Sequence, residues 1–207
     1  MRVVSGLAKG KTLKAVPGDS TRPILDRVKT ALFDILRPDI QGVSVLDLFA
    51  GTGAVGIEAL SQGAAHCVFL DTNKRAVATI KENLASCDLT ARGEVRHTDA
   101  FIYLKNTARS FDLIYIAPPQ YRGIWIEALR VVAERPHLLK PVKMPSEGEI
   151  SGGEICGGKI SGGKICDKKI IVQIDPKEYE PLILNTLVLQ SERRYGNTLL
   201  LFYGLAE

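Results

Sequence analysis

The 207-residue chain is short of the residues that staple secreted and metal-centred folds. Its four cysteines, Cys67, Cys87, Cys156 and Cys166, form no Cys-x-x-Cys pair and have no histidine at ligand spacing. That argues against a zinc ribbon or a disulfide framework and for free thiols in a reducing compartment. The three histidines, His66, His97 and His137, stand without partners at catalytic spacing. No apolar run approaches the roughly 20 residues needed to cross a bilayer, and the N-terminus has no apolar core of a signal peptide. The expectation is a cytoplasmic protein that holds neither a metal nor a membrane.

What is present is ordinary in amount and uneven in placement. Hydrophobic residues make up 45% and charged residues 24%, which fits one globular domain with a sizeable core. The formal net charge is only +4. Within the first 30 residues, however, Arg2, Lys9, Lys11, Lys14, Arg22, Arg27 and Lys29 face only Asp19 and Asp26. A basic segment on a near-neutral body points to a polyanionic partner.

Hydrophobic periodicity gives the order of elements. Arg2–Val16 alternates loosely around Lys9-Gly10-Lys11, the pattern of a small basic β-hairpin. Leu25, Val28, Leu32, Ile35 and Leu36 then share a helical face, with Pro38 as a stop. From Val43 the chain alternates strand and helix. Strands are expected at Val43–Phe49, Cys67–Leu70, Gly93–His97, Phe111–Ile116 and Ile170–Ile174. Helices are expected at Ala54–Gln62, Arg75–Ala85, Ala100–Lys105 and Ile124–Glu134. Such repetition implies a parallel sheet with right-handed crossovers. The end differs: Leu184–Tyr195 and Thr198–Tyr203 flank Gly196-Asn197 and read as an antiparallel hairpin.

One stretch breaks the pattern. Between 146 and 169, isoleucines recur every five residues (Ile150, Ile155, Ile160, Ile165) in glycine-rich units. So few units could hardly bury a solenoid core, so the tract reads as a low-complexity insertion before the fifth strand.

The chemistry concentrates at strand ends. Asp47-Leu48-Phe49-Ala50-Gly51-Thr52-Gly53-Ala54-Val55-Gly56 carries a formal G-x-G-x-x-G between a strand and a helix. Asp71, at the end of the second strand, is placed to bind ribose hydroxyls. Asp47, inside the loop's entry, would repel a pyrophosphate but could pair with the amino group of a methionine moiety. Asp99, after the third strand, is placed either to accept from an adenine amine or to cap the short helix that follows. Three acids at successive strand ends suit a cationic adenosyl ligand better than an anionic dinucleotide.

The fourth strand runs into Ala117-Pro118-Pro119-Gln120-Tyr121. This is where an open α/β sheet places ligands. Prolines stiffen the turn and leave carbonyls free, and an aromatic face beside free acceptors suits a flat base carrying an amine. Trp125, just beyond, either lines the site or anchors a helix. Glu58 reads as a solvated or packed helix residue.

These residues together resemble the RsmD-like 16S rRNA guanine-N2 methyltransferases, which depend on S-adenosylmethionine. The resemblance rests on Val3-Val4-Ser5-Gly6 with Lys9-Gly10-Lys11, on Arg22-Pro23 with Asp26-Arg27-Val28, and on Ala31-Leu32-Phe33. It continues through Leu46–Gly53, Gly56-Ile57-Glu58-Ala59-Leu60 and Arg194-Tyr195-Gly196 with Thr198. It implies an α/β class I methyltransferase fold: a Rossmann-like seven-stranded sheet with a terminal antiparallel hairpin. A short basic arm at 1–22 would precede a methyltransferase domain at 23–207. By position, Asp47, Phe49, Gly51, Gly53 and Ala117 would line the cofactor, Asp71 its ribose and Asp99 its adenine. Pro118, Pro119, Gln120 and Tyr121 would form the catalytic loop, and Arg2, Lys9, Lys11, Arg22 and Arg27 would hold RNA. The implied partner is 16S rRNA in an assembling small subunit, acted on by a monomer.

The family motif is Asp or Asn, Pro, Pro, Tyr. Here Ala117 replaces the acid, and the aromatic is displaced by one. Two readings follow. Either the Pro118 carbonyl and the Gln120 amide oxygen accept from the base amine, or the protein is a slow or inactive RNA-binding relative. A methyltransferase acting on DNA or a protein amide would use a similar loop, and an NAD-dependent oxidoreductase would share the glycine loop and Asp71.

Overall fold

The computed structural model describes residues 1–18, 24–140 and 170–206. The insertion expected at 146–169, and Arg22-Pro23 with it, lie outside the described residues. Seven strands form one sheet in the order β3-β2-β1-β4-β5-β7-β6. They are β1 Ser44–Asp47, β2 His66–Asp71, β3 Gly93–His97, β4 Leu113–Ile116, β5 Ile170–Ile174, β6 Leu187–Tyr195 and β7 Thr198–Leu205. Neighbours from β3 through β5 pair in parallel, whereas β7 pairs antiparallel with both β5 and β6. That is the topology the resemblance implies.

Among the described residues five α-helices cover the two faces: α1 Asp26–Leu36, α2 Ala54–Ser61, α3 Lys74–Ser86, α4 Ala100–Asn106 and α5 Ile124–Ala133. One core lies under α1, α2 and α3, and the other under α4 and α5. The central strands are apolar on both faces because both faces are covered. β4, Leu-Ile-Tyr-Ile, is buried throughout. Trp125 belongs to the second core at 1% exposure and does not line the cavity described below. It is a helix anchor.

All eight residues of α2 are buried, Glu58 and Ser61 included. The helix can lie this close to β2 because Gly56 has no Cβ; one added there would fall 2.2 Å from the Phe69 ring. Its outer side is covered by the N-terminal segment. Val3, Ala8 and Leu13 are buried in the same core, and Val16 is buried as well. The segment is less regular than a hairpin, with one isolated bridge between Arg2 and Thr12. Its two arms still pair through their backbones, Val3 N–H donating to the Lys11 carbonyl and Leu13 N–H to that of Met1, both at 3.0 Å, and side chains of the domain hold the segment as well. Glu58 accepts from the Val4 and Ser5 N–H groups at 2.8 and 2.9 Å, and Ser61 Oγ accepts from Ala8 N–H at 2.9 Å. Asn83 exchanges two bonds with the Lys14 backbone. That residues 1–16 are built into the core in this way is not legible from local pattern, since each of these contacts spans more than 50 residues.

Candidate functional site

β1 lies where the strand order reverses, with β2 on one side and β4 on the other, and ligands of open α/β sheets gather there. Beyond β1 the chain makes a loop pinned to both neighbours. Leu48 N–H donates to the Tyr115 carbonyl at 3.0 Å, and Ala50 N–H donates to the Leu70 carbonyl at 2.9 Å. Gly51 and Gly53 have φ of 56° and 76°, the left-handed region that favours glycine. Gly53 is also the residue from which α2 starts.

A cavity of about 610 Å³ opens at this point. It is lined by all three acids singled out in the sequence, Asp47, Asp71 and Asp99, with Phe49 and Gly51. Ala117, Pro118, Pro119 and Gln120 line it from the β4 side. The volume suits a small-molecule ligand of adenosyl size.

Each acid is held differently. Asp71 Oδ2 accepts from Gly51 N–H at 2.9 Å and its Oδ1 from Asn73 N–H at 2.8 Å, so this carboxylate braces the glycine loop. Asp99 caps α4: its Oδ1 accepts from the Phe101 and Ile102 N–H groups at 2.9 and 3.0 Å. Cap and ligand roles are therefore compatible, because both cap bonds fall on one oxygen. Asp47 is 1% exposed, and its Oδ1 has no hydrogen-bond partner among the described residues. Burial pushes its pKa up to about 7, and nearby Asp71 raises it further, while the backbone N–H groups of Gly56 and Phe49 partly offset the rise. A buried carboxylate oxygen left without a donor fits a ligand that brings a cation.

Two sequence-predicted site residues stand apart. Gly53 does not line the cavity; it shapes the turn, and a Cβ there would approach Ile80 to 3.1 Å. Tyr121 does not line it either, although Gln120 and Arg122 on either side do. The Tyr121 hydroxyl donates to Asp175 Oδ2 at 2.9 Å and its N–H donates to Glu178 Oε2 at 2.7 Å. Its φ of 61° is strained for a non-glycine residue, and the side chain is 65% exposed. The ring is pinned at the rim.

The structure also brings in residues that the sequence reading passed over. Tyr115 and Gln173 line the cavity, joined by a 2.6 Å bond from the Tyr115 hydroxyl to Gln173 Oε1. The available signal was Gln173 itself, a lone polar residue inside Ile170–Ile174. Arg122 and the Ile24-Leu25 pair line it as well. Of the basic candidates, Arg2, Lys9, Lys11 and Arg27 are exposed, and Arg22 lies outside the described residues. Lys29, counted above with that basic segment, is fully buried. Its Nζ sits 3.1 Å from Glu58 Oε2 and donates to the Arg2 carbonyl. A buried pair with its remaining valences satisfied serves architecture, not RNA contact.

The chain is similar to known proteins in sequence and in fold. The family model described as conserved hypothetical protein 95 matches residues 1–151. The chain is 42% identical over 143 residues to YlbH of Bacillus subtilis, covering 68% of this chain and 77% of that one. It is 33% identical over 144 residues to ribosomal RNA small subunit methyltransferase D of Haemophilus influenzae, covering 68% and 74%. The crystal structure of HI0767 from the same organism superposes with a TM-score of 0.71 at 27% identity, over 100% of this chain and 98% of that one. The protein belongs to the conserved hypothetical protein 95 family, that of the RsmD ribosomal RNA small subunit methyltransferases.

Proposed function

We propose that the protein transfers a methyl group from S-adenosylmethionine to the exocyclic N2 of a guanine in 16S rRNA. The observation that carries the cofactor half is the buried, unpartnered Asp47 Oδ1 within a cavity of adenosyl size. An α-amino group would supply the missing donor and the compensating charge. Asp71 and Asp99 lie at the next two strand ends, where ribose hydroxyls and an adenine amine would find acceptors. Family membership and the exposed cations Arg2, Lys9, Lys11 and Arg27 support rRNA as the substrate.

The cofactor supplies an electrophilic sulfonium methyl. When bound, it would give up that methyl to the guanine N2 lone pair in exchange for one N2 proton, which would leave to water. The protein's part is to hold the base so that this line of attack is met, since positioning supplies much of the acceleration. A base in an exposed RNA loop is splayed out at little cost, and Tyr121 at the rim offers it a stacking face. We place the reaction in the cytoplasm, on an assembling small subunit, with the protein acting as a monomer.

Ala117 favours a second reading, a slow or inactive rRNA-binding relative. Mass mapping of 16S rRNA from cells with and without the gene separates the two. Loss of one N2-methylguanosine on deletion supports the enzyme; an unchanged methylation map, with the cofactor still bound by the purified protein, supports the binding protein.

A further inference from the structure

Three adjacent strands deliver one row of side chains to the same face of the sheet. Asp47 of β1 is in register with Tyr115 of β4, and Tyr115 with Ile171 of β5. Because side chains alternate along a strand, Gln173 shares the face of Ile171, and Ala117 shares that of Tyr115. Ile116 pairs with Val172, and Ala117 and Gln173 are the residues that follow them in their chains. Both residues line the cavity.

That amide is oriented. The Tyr115 hydroxyl donates to Gln173 Oε1 at 2.6 Å. Burial, with nearby Asp47, pushes the Tyr115 pKa well above its ordinary value, so the phenol remains a donor at physiological pH. A carbonyl oxygen has two lone pairs; Tyr115 takes one and polarises the oxygen that offers the other. Gln120 also lines the cavity, but it lies on the turn next to strained Tyr121, whereas Gln173 stands on a half-buried position of a central strand. A group on a strand is held more tightly than one on a loop.

Resting on the function proposed above, we infer that Gln173 is the side-chain acceptor for the exocyclic amine of the substrate base, with Tyr115 as the residue that positions its amide. As the nitrogen attacks, positive charge develops on it and its N–H becomes a stronger donor. An acceptor fixed at that N–H therefore stabilises the transition state more than the ground state. A neutral amide does not take the proton, which leaves to water after transfer.

The test uses the full chain, transcribed 16S rRNA alone and in small-subunit particles, and S-adenosylhomocysteine as the cofactor probe. Gln173→Met should lower kcat by roughly 10²- to 10³-fold, with the affinity for S-adenosylhomocysteine and KM for RNA nearly unchanged. Tyr115→Phe should lower kcat by about tenfold, the scale of one hydrogen bond. Adding Ala117→Asn to Gln173→Met should recover activity, because it returns an amide to the β4 side of the same cavity. A Gln173→Met enzyme with wild-type kcat would overturn the inference. So would a parallel loss of S-adenosylhomocysteine affinity, or a double variant that binds the probe and stays slow. If the wild type itself binds the probe and methylates no RNA, the proposed function fails first, and this inference falls with it.

Discussion

The two flanks of the cavity are built by different means. On the β1–β3 flank each acid is fixed by backbone groups close to it in sequence or across one strand. Gly51 and Asn73 hold Asp71, and the first turn of α4 holds Asp99. On the β4–β5 flank nothing is local. Ala117 is a methyl, Tyr121 is tied to residues more than 50 positions away, and Tyr115 meets Gln173, 58 positions on, across the β4–β5 pair. Under the proposed function the β1–β3 flank would recognise the cofactor through a short motif, whereas the β4–β5 flank, assembled by tertiary structure, would meet the substrate.

The sharpest way to break this contrast is Asp47→Asn. If the cofactor flank is organised around one buried negative charge, the variant should lose S-adenosylhomocysteine affinity by roughly 10²- to 10³-fold, the cost of stripping one partner from a buried ion pair. Titration calorimetry reads it directly. Proton linkage gives a second handle on the same residue. The folded-state pKa of Asp47 is raised to about 7 from 3.8, so the free protein binds more protons than the unfolded chain between these values. Its contribution should therefore make the free protein more stable as pH falls from 7 toward 4. Ligand affinity should move the opposite way, weakening below pH 7 as the carboxylate is neutralised. Both slopes should flatten in Asp47→Asn, measured by melting temperature with and without S-adenosylhomocysteine.

Tyr121→Ala probes the other flank. A base stacked on an aromatic ring gains about 1–3 kcal/mol, so KM for RNA should rise about tenfold or more while cofactor affinity stays put. Tyr121→Phe keeps the ring and drops only the bond to Asp175, and its effect should be much smaller. A cofactor-affinity change in either variant would erase the division between flanks.

The smallest effect belongs to Asp99→Ala. Losing a helix cap costs about 1 kcal/mol, which for a chain of this size is a fall of about 2–4 °C in Tm. If Asp99 also meets the adenine amine, S-adenosylhomocysteine affinity should fall as well, by several-fold. Asp99→Asn, which retains a capping oxygen, should keep the stability and separate the two roles.

This division also explains what the sequence could reveal. The β–α alternation, the terminal hairpin and the three acids were legible because period, turn chemistry and strand-end position are local signals. Strand ends were placed within about two or three residues at most positions, as fraying of such boundaries leads one to expect. Asp47's burial and missing partner were not legible, since they depend on α2 lying on β2 at the distance Gly56 permits. Nor was the Lys29–Glu58 pair. A lysine in a basic run reads as solvated until the fold places a glutamate from another helix beside it. Tyr121 shows the limit most clearly: the motif marks it as a residue of the catalytic loop, but not that Asp175 and Glu178 would pin it at the rim.

The central claim is that this family member, despite Ala117, methylates a guanine amine of 16S rRNA. Incubating the purified protein with methyl-labelled S-adenosylmethionine and small-subunit particles, then digesting the RNA to nucleosides, tests it most directly. The label should appear in N2-methylguanosine alone and disappear in Asp47→Asn. Label in another nucleoside, or none in RNA from particles that the protein binds with its cofactor, would contradict it.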